Sequence, residues 1–119
     1  MAKSPKQETA VVVTKTYDVV LWVLNKVEHF PRAHRFSLGE RLMDAALDLL
    51  MTLVQAAYAT EKVVLLRQAS LKTNCLRYLL RLAKDVRLIN LDAYSFSTEK
   101  VEEIGRMIGG WQKSLARRA

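Results

Sequence analysis

The sequence predicts an all-α protein, an antiparallel up-down-up-down four-helix bundle in a single domain. The first observation behind this is composition: half of the 119 residues are hydrophobic, and only four Gly and two Pro interrupt them. Leu, Ala, Arg and Lys dominate, a mixture that favours helix over strand. The second is that four segments carry apolar residues at helical spacing. The third is that the connectors between them are short, so consecutive helices must run antiparallel. A chain of this length and apolar content can bury a core without disulfide or metal staples. Residues 9–119 are expected to form the bundle. Residues 1–8, MAKSPKQE, are polar and contain a Pro, and are expected to be a flexible leader.

The first helix is expected from Thr9 to Phe30, with Val12, Val19, Val23 and Val27 in one row and Tyr17, Leu21 and Leu24 in another. Its many Val residues lower intrinsic helix propensity, so packing must hold it. Pro31 disfavours helical geometry at Phe30 and ends the segment. After a connector, Ser37-Leu-Gly-Glu40 reads as a capping box, which starts the second helix at Ser37. That helix runs to about Tyr58, with Leu42, Ala46, Leu49, Leu53 and Ala57 on one face. Thr60 is placed to cap the third helix, which is expected to continue through Leu91 as the longest segment and to stop near Asn90 and Asp92. Ser95, Ser97 and Thr98 offer caps for a final helix over about Thr98–Ala116, with Gly109-Gly110 as its weak point.

Charge is unevenly distributed. Residues 1–60 carry seven Lys/Arg against six Asp/Glu, and residues 61–119 carry twelve against six, so nearly all of the net +7 lies in the second half. A basic half suits an acidic partner, nucleic acid or an acidic protein surface, and equally a solvated surface. The one cysteine, Cys75, excludes an intrachain disulfide framework. No signal-peptide core is present at the N-terminus, and the apolar stretches near Val19–Leu24 and Ala45–Val54 are too short or too interrupted to span a bilayer. A soluble, cytoplasmic protein without membrane association is expected.

The third helix is more apolar than one buried face requires. At about 100° per residue, Leu71, Cys75, Leu76, Tyr78, Leu79, Leu82, Val86 and their neighbours fill an arc of roughly 200°. That is about twice the minimum stripe of an amphipathic helix. Either this helix is central in its own bundle, or the surplus packs against another copy; a four-helix bundle has no truly central helix, which favours self-association. The opposite arc holds Ser70, Thr73, Asn74, Arg77, Arg81 and Lys84. The three cations are spaced i, i+4, i+7 and share a face, with only Asp85 at its border to compensate. Arg forks bidentately onto phosphate or carboxylate, so this stripe is the candidate binding surface, against the alternative that the stems cover apolar surface.

Gly105 and Gly109 are one turn apart in the last helix, and each costs about 1 kcal/mol relative to Ala in a helix interior. A packing reason is therefore expected: close approach of another backbone, with Trp111 across the contact, within the bundle or between copies. The alternative is a frayed C-terminus. Arg106, Lys113, Arg117 and Arg118 add charge at this end. Catalysis is not expected. Glu28, His29 and His34 lack ligand spacing for a metal, and no phosphate-binding glycine loop or nucleophile elbow occurs. Cys75 lies inside the apolar arc with no activating His, so it reads as a small buried hydrophobe. No cofactor is implied.

Three segments, Phe30-Pro-Arg-Ala-His-Arg-Phe-Ser-Leu-Gly39, Leu76-Arg-Tyr-Leu-Leu-Arg-Leu-Ala-Lys-Asp85 and Glu103-Ile-Gly-Arg-Met-Ile-Gly-Gly-Trp111-Gln-Lys-Ser, together resemble the accessory variability determinant (Avd) proteins of diversity-generating retroelements. The resemblance covers roughly residues 17–114. A sister family, the four-helix proteins encoded in intervening sequences of 23S ribosomal RNA genes, is similar around Pro31–Gly39. That family usually carries an Asn-Ile-Ala-Glu-Gly-like segment where this chain reads Val54-Gln-Ala-Ala-Tyr58. The Avd resemblance implies a four-helix bundle assembling as a basic homopentameric barrel. It implies a non-enzymatic accessory protein that binds the reverse transcriptase and template RNA or DNA, supporting mutagenic reverse transcription and retrohoming. It places the family's partner-binding Arg pair on Arg77 and Arg81. Asn74, Lys84, Arg106 and Lys113 complete the expected reverse transcriptase and nucleic-acid surface, and Gly105, Gly109 and Trp111 the expected oligomer or close-packing contact.

Overall fold

The computed structural model describes the backbone of residues 5–118 and the side chains of residues 9 and 11–118. Four long helices, α1 (Pro5–Glu28), α2 (Glu40–Tyr58), α3 (Val63–Asp85) and α4 (Leu91–Arg118), account for most of them, and no strand occurs among the described residues. Each helix packs against its sequence neighbours, and α1 closes against α4, so the four form a square with α1 and α3 on one diagonal. The molecule is elongated, 48 × 26 × 18 Å, as its 28-residue last helix at 1.5 Å per residue demands. Helix α1 begins at Pro5, four residues before the expected start; residues 1–4 of the expected leader lie outside the described residues.

One stripe from each helix builds the core: Val12, Val19, Val23 and Val27 from α1, Leu42, Ala46, Leu49 and Leu53 from α2, Leu66, Leu76 and Leu80 from α3, and Val101, Ile104 and Ile108 from α4. The expected α2 face holds, except that Ala56 is buried where Ala57 is half-buried. The buried hydroxyls of Thr16, Thr52, Thr73 and Ser97 donate back to the carbonyls of Val12, Asp48, Ala69 and Tyr94, so none enters the apolar interior unpaired. The Thr52 hydroxyl also accepts a 2.7 Å bond from the Lys72 ammonium, tying α3 to α2.

The ends of the helices differ from the sequence expectation in instructive ways. Ser37 does not cap α2. The chain is already helical at Arg32–His34 and passes through a π-helical turn, Arg35–Gly39, into α2. The Ser37 hydroxyl points back to the carbonyls of Ala33 and His34 rather than forward to Glu40. Gly39 permits this wide turn, because a Cβ there would lie 2.9 Å from Val27 Cγ1 and 3.2 Å from the His34 carbonyl oxygen. Thr60 does not cap α3 either. The Lys62 side chain turns back to donate to the carbonyls of Ala56 and Ala57, closing the end of α2, and α3 starts after it.

Helix α3 stops at Asp85, not Leu91, and α4 begins at Leu91, not Thr98, so α4 is the longest helix. The break is a Schellman turn. The Leu88 N–H donates to the Ala83 carbonyl and the Arg87 N–H to the Lys84 carbonyl, with Arg87 in left-handed backbone at φ 66°. Ile89 is apolar because it folds into the core from this turn, not because it continues the helix. The Asn90 carboxamide accepts from the Ala93 N–H at 2.8 Å and caps α4, which leaves Ser95, Ser97 and Thr98 inside the helix.

Candidate functional site

Antiparallel packing of α3 against α4 leaves a polar groove along their outer seam. One stretch of about 410 Å³ is lined by Ser70, Thr73, Asn74, Arg77, Glu102, Gly105 and Arg106. It runs into a second of about 470 Å³, to which Tyr78, Arg81, Tyr94 and Thr98 contribute. Arg77 stands in both. On α3 it follows the core position Leu76 by one residue, so the helix turns its side chain toward α4.

The Arg77 guanidinium is held from two sides. Its Nη1 donates to the Asn74 carboxamide oxygen at 2.9 Å. Its Nη2 lies against Gly105, where a Cβ would come within 2.9 Å of it and within 3.7 Å of Thr73 Cγ2. Its Nε is buried and has no hydrogen-bond partner among the described residues. Leaving such a donor unsatisfied costs about 1–3 kcal/mol, and departures from polar satisfaction of this kind concentrate at functional sites.

Beyond Arg77 the stripe is partly compensated. Arg81 Nε stands 3.9 Å from Asp85 Oδ2, and Lys84 Nζ stands 3.4 Å from Asp85 Oδ1. One carboxylate shared between the exposed Arg81 and the half-buried Lys84 neutralises at most one of them, and such surface pairs contribute about 0–1 kcal/mol. Lys84 also lies 4.6 Å over the Tyr94 ring. Arg77, Arg81, Lys84 and Arg106 thus face two carboxylates, Asp85 and Glu102, and the groove keeps a positive balance.

The structure therefore brings Asn74, Arg77, Arg81, Gly105 and Arg106 together, with Lys84 at one end. Lys113 is exposed farther along α4 and does not line the groove. What approaches Gly105 is a side chain rather than a second backbone, and a Cβ on Gly109 would meet nothing within 4 Å among the described residues. Trp111 is buried in the core, with Lys62 Nζ 5.9 Å from its ring. Cys75 is exposed, which corrects the expectation of a buried thiol. The apolar arc of α3 is wider than its buried face, and Cys75 sits on the outer part with Leu71, Tyr78, Leu82 and Val86. Conversely Thr73, expected on the polar arc, is buried.

Sequence reasoning missed Tyr94, Thr98 and Glu102 as groove residues. Placing Tyr94 in a loop hid its partnership with α3, and the Asn90 cap was the available signal. His29 Nδ1 donates to the Asn25 carbonyl at 2.7 Å, as a histidine at a helix end does. Among the described residues no three His, Cys, Asp or Glu side chains are grouped to hold a metal, and no helix is long and apolar enough to cross a membrane.

Comparison with known proteins adds the following. The crystal structure of a protein of unknown function from the S23 ribosomal protein family of Bacteroides thetaiotaomicron VPI-5482 superimposes with a TM-score of 0.82 over 89% of this chain and 98% of that one. At 16% identity the likeness is one of fold. No curated protein sequence matches. The bAvd-like family model matches residues 10–115, which takes in α2 and α3 entire, most of α1 and α4, the Arg77–Gly105 contact and the whole groove. The resemblance read from the sequence and the match agree, and this chain belongs to the bAvd-like family.

Proposed function

We propose that this protein is a non-enzymatic accessory subunit of a diversity-generating retroelement, binding the element's reverse transcriptase and its template RNA or DNA through the α3–α4 groove. The observation that carries the reading is Arg77, fixed between Asn74 and Gly105 with its guanidinium in the groove and Arg81 one turn on. A cation ordered in advance of its partner loses little conformational entropy on binding. Membership of the bAvd-like family supports this class of partner. The protein acts as a homo-oligomer, a pentameric ring on the family pattern, held by its exposed apolar rows.

The test is capture of the reverse transcriptase by the Arg77→Ala/Arg81→Ala protein. Capture is expected to be lost while helicity and oligomer size stay unchanged, since Arg81 is exposed and neither residue contributes to the apolar core. Undiminished capture by the double variant overturns the site. A second reading, a self-assembling module whose charge only maintains solubility, draws on the compensation of Arg81 and Lys84 by Asp85. It requires that RNA and DNA affinity be absent even at low salt, whereas a steep log-log salt dependence supports phosphate contacts.

A further inference from the structure

On the other flank of α4, a smaller cleft opens against α1. Val19, Trp22 and Phe96 form its floor, and Lys15, Asp18 and Lys100 stand around it, enclosing about 150 Å³. Trp22 and Phe96 meet with ring centroids 6.1 Å apart and planes tilted by 34°, and Phe96 is 48% exposed. Each ring carries a lysine: Lys26 Nζ lies 5.5 Å over Trp22 and Lys100 Nζ 5.5 Å over Phe96. The groove of the preceding subsection uses Tyr94, Thr98 and Glu102 of α4; this cleft uses Phe96, Lys100 and Glu103, so the two surfaces are separate.

We propose that the α1–α4 cleft binds one unpaired base of a single-stranded nucleic acid, stacked on Trp22 and Phe96, with Lys26 and Lys100 meeting the flanking phosphates. Size, chemistry and charge point the same way. A largely apolar cleft of about 150 Å³ has room for a single six-membered ring, the size of a pyrimidine. Aromatic faces interleaved with lysines are the equipment of single-strand binders, because every base offers a π-face and every linkage a charge. Bases in a duplex are already stacked and cannot enter.

Two acids stand at the rim. Glu103 is engaged by Lys15 at 2.9 Å, and that hydrogen bond holds its carboxyl below the usual carboxylate range. The pair is neutral as a unit, which leaves Lys26 and Lys100 against Asp18 among the described residues around the cleft, with Glu103 also drawn toward Lys100. The two lysines lie over the rings they would yield to a base, and their flexible stems carry each ammonium outward to a phosphate.

The inference shares with the proposed function only the premise that an acidic partner is nucleic acid; it uses different residues and has its own readout. Tryptophan emission of the full-length protein is titrated with a short oligothymidylate and with a duplex of the same length. Saturable quenching by the oligothymidylate alone is expected; Trp22→Leu, which removes the reporter, shows whether the signal comes from the cleft, while Trp111 supplies a buried, constant background. Phe96→Ala should weaken the oligothymidylate about tenfold, the usual effect of one stacked base. Lys100→Gln should lower the salt slope by about one, and as an exposed position it keeps the test decisive if Trp22→Leu loosens the packing of α1 on α4. Equal quenching by the duplex, or unchanged affinity in Phe96→Ala, overturns the proposal. The groove is read separately, by capture of the reverse transcriptase by Arg77→Ala/Arg81→Ala, so failure of the groove and failure of the cleft are told apart.

Discussion

Arg77 keeps its place because Gly105 has no side chain. A methyl group at 105 would stand 2.9 Å from Arg77 Nη2, and the only part of the neighbour that can move is the end of that flexible side chain. Gly105→Ala should therefore do two opposite things. Within α4 it replaces the poorest ordinary helix former by the best, a gain of up to about 1 kcal/mol. At the groove it pushes the guanidinium off its position beside Asn74. The expected result is a melting temperature equal to or above that of the natural protein, together with weaker capture of the reverse transcriptase. Gly109→Ala is the control: among the described residues nothing lies within 4 Å of its added methyl, so it should stabilise α4 and leave capture unchanged. Equal capture by both variants would show that the placement of Arg77 is irrelevant to binding.

At the scale of elements, what was legible was whatever repeats along a helix. Val19, Val23 and Val27, or Leu42, Ala46, Leu49 and Leu53, identify a buried stripe by spacing alone, and all are in the core. Ends were not legible where a tertiary contact decides them. Ser37 carries the sequence of a cap but lies in a turn shaped by Gly39 against Val27, and Ile89 carries helical periodicity but enters the core from a turn. The same limit governed the site: Arg77 and Arg81 stood out by spacing, whereas Tyr94 and Glu102 required knowing which face of α4 meets α3. The α3 terminus also yields a prediction. Arg87 occupies the left-handed position of a Schellman turn, where glycine is usual and an L side chain is strained. Arg87→Gly removes about 1–2 kcal/mol of strain against about 0.4–1 kcal/mol of added freedom in the unfolded chain. A net gain of about 0.5–1 kcal/mol should appear as a higher urea midpoint with unchanged m-value. A lower midpoint would mean that the Arg87 side chain contributes more than its backbone costs.

For the whole molecule, the question is what covers the apolar side chains that the bundle leaves outside. Leu71, Cys75, Tyr78, Leu82 and Val86 follow one another at i, i+4, i+7, i+11 and i+15 on the side of α3 away from the core, and Tyr78 is 69% exposed. Tyr17, Leu21 and Leu24 form a second row on α1. Because α1 and α3 occupy opposite corners of the square, these are separate patches rather than one. Association of unlike patches is heterologous and gives a ring where the rotation between copies closes, whereas α3 packing on α3 is isologous and closes at two copies. Charge variants distinguish the two. Leu82 and Leu21 are 48% and 47% exposed, so a carboxylate at either is tolerated by the monomer and opposed only in an interface. In a ring, Leu82→Glu and Leu21→Glu each sediment as monomers. An equimolar mixture then restores one intact contact per pair and sediments as a dimer, because the sound α1 row of one protein meets the sound α3 stripe of the other. If the contact is α3 on α3, Leu21→Glu stays associated and the mixture gains nothing, and a natural protein that sediments as a monomer at micromolar concentration removes the assembly altogether.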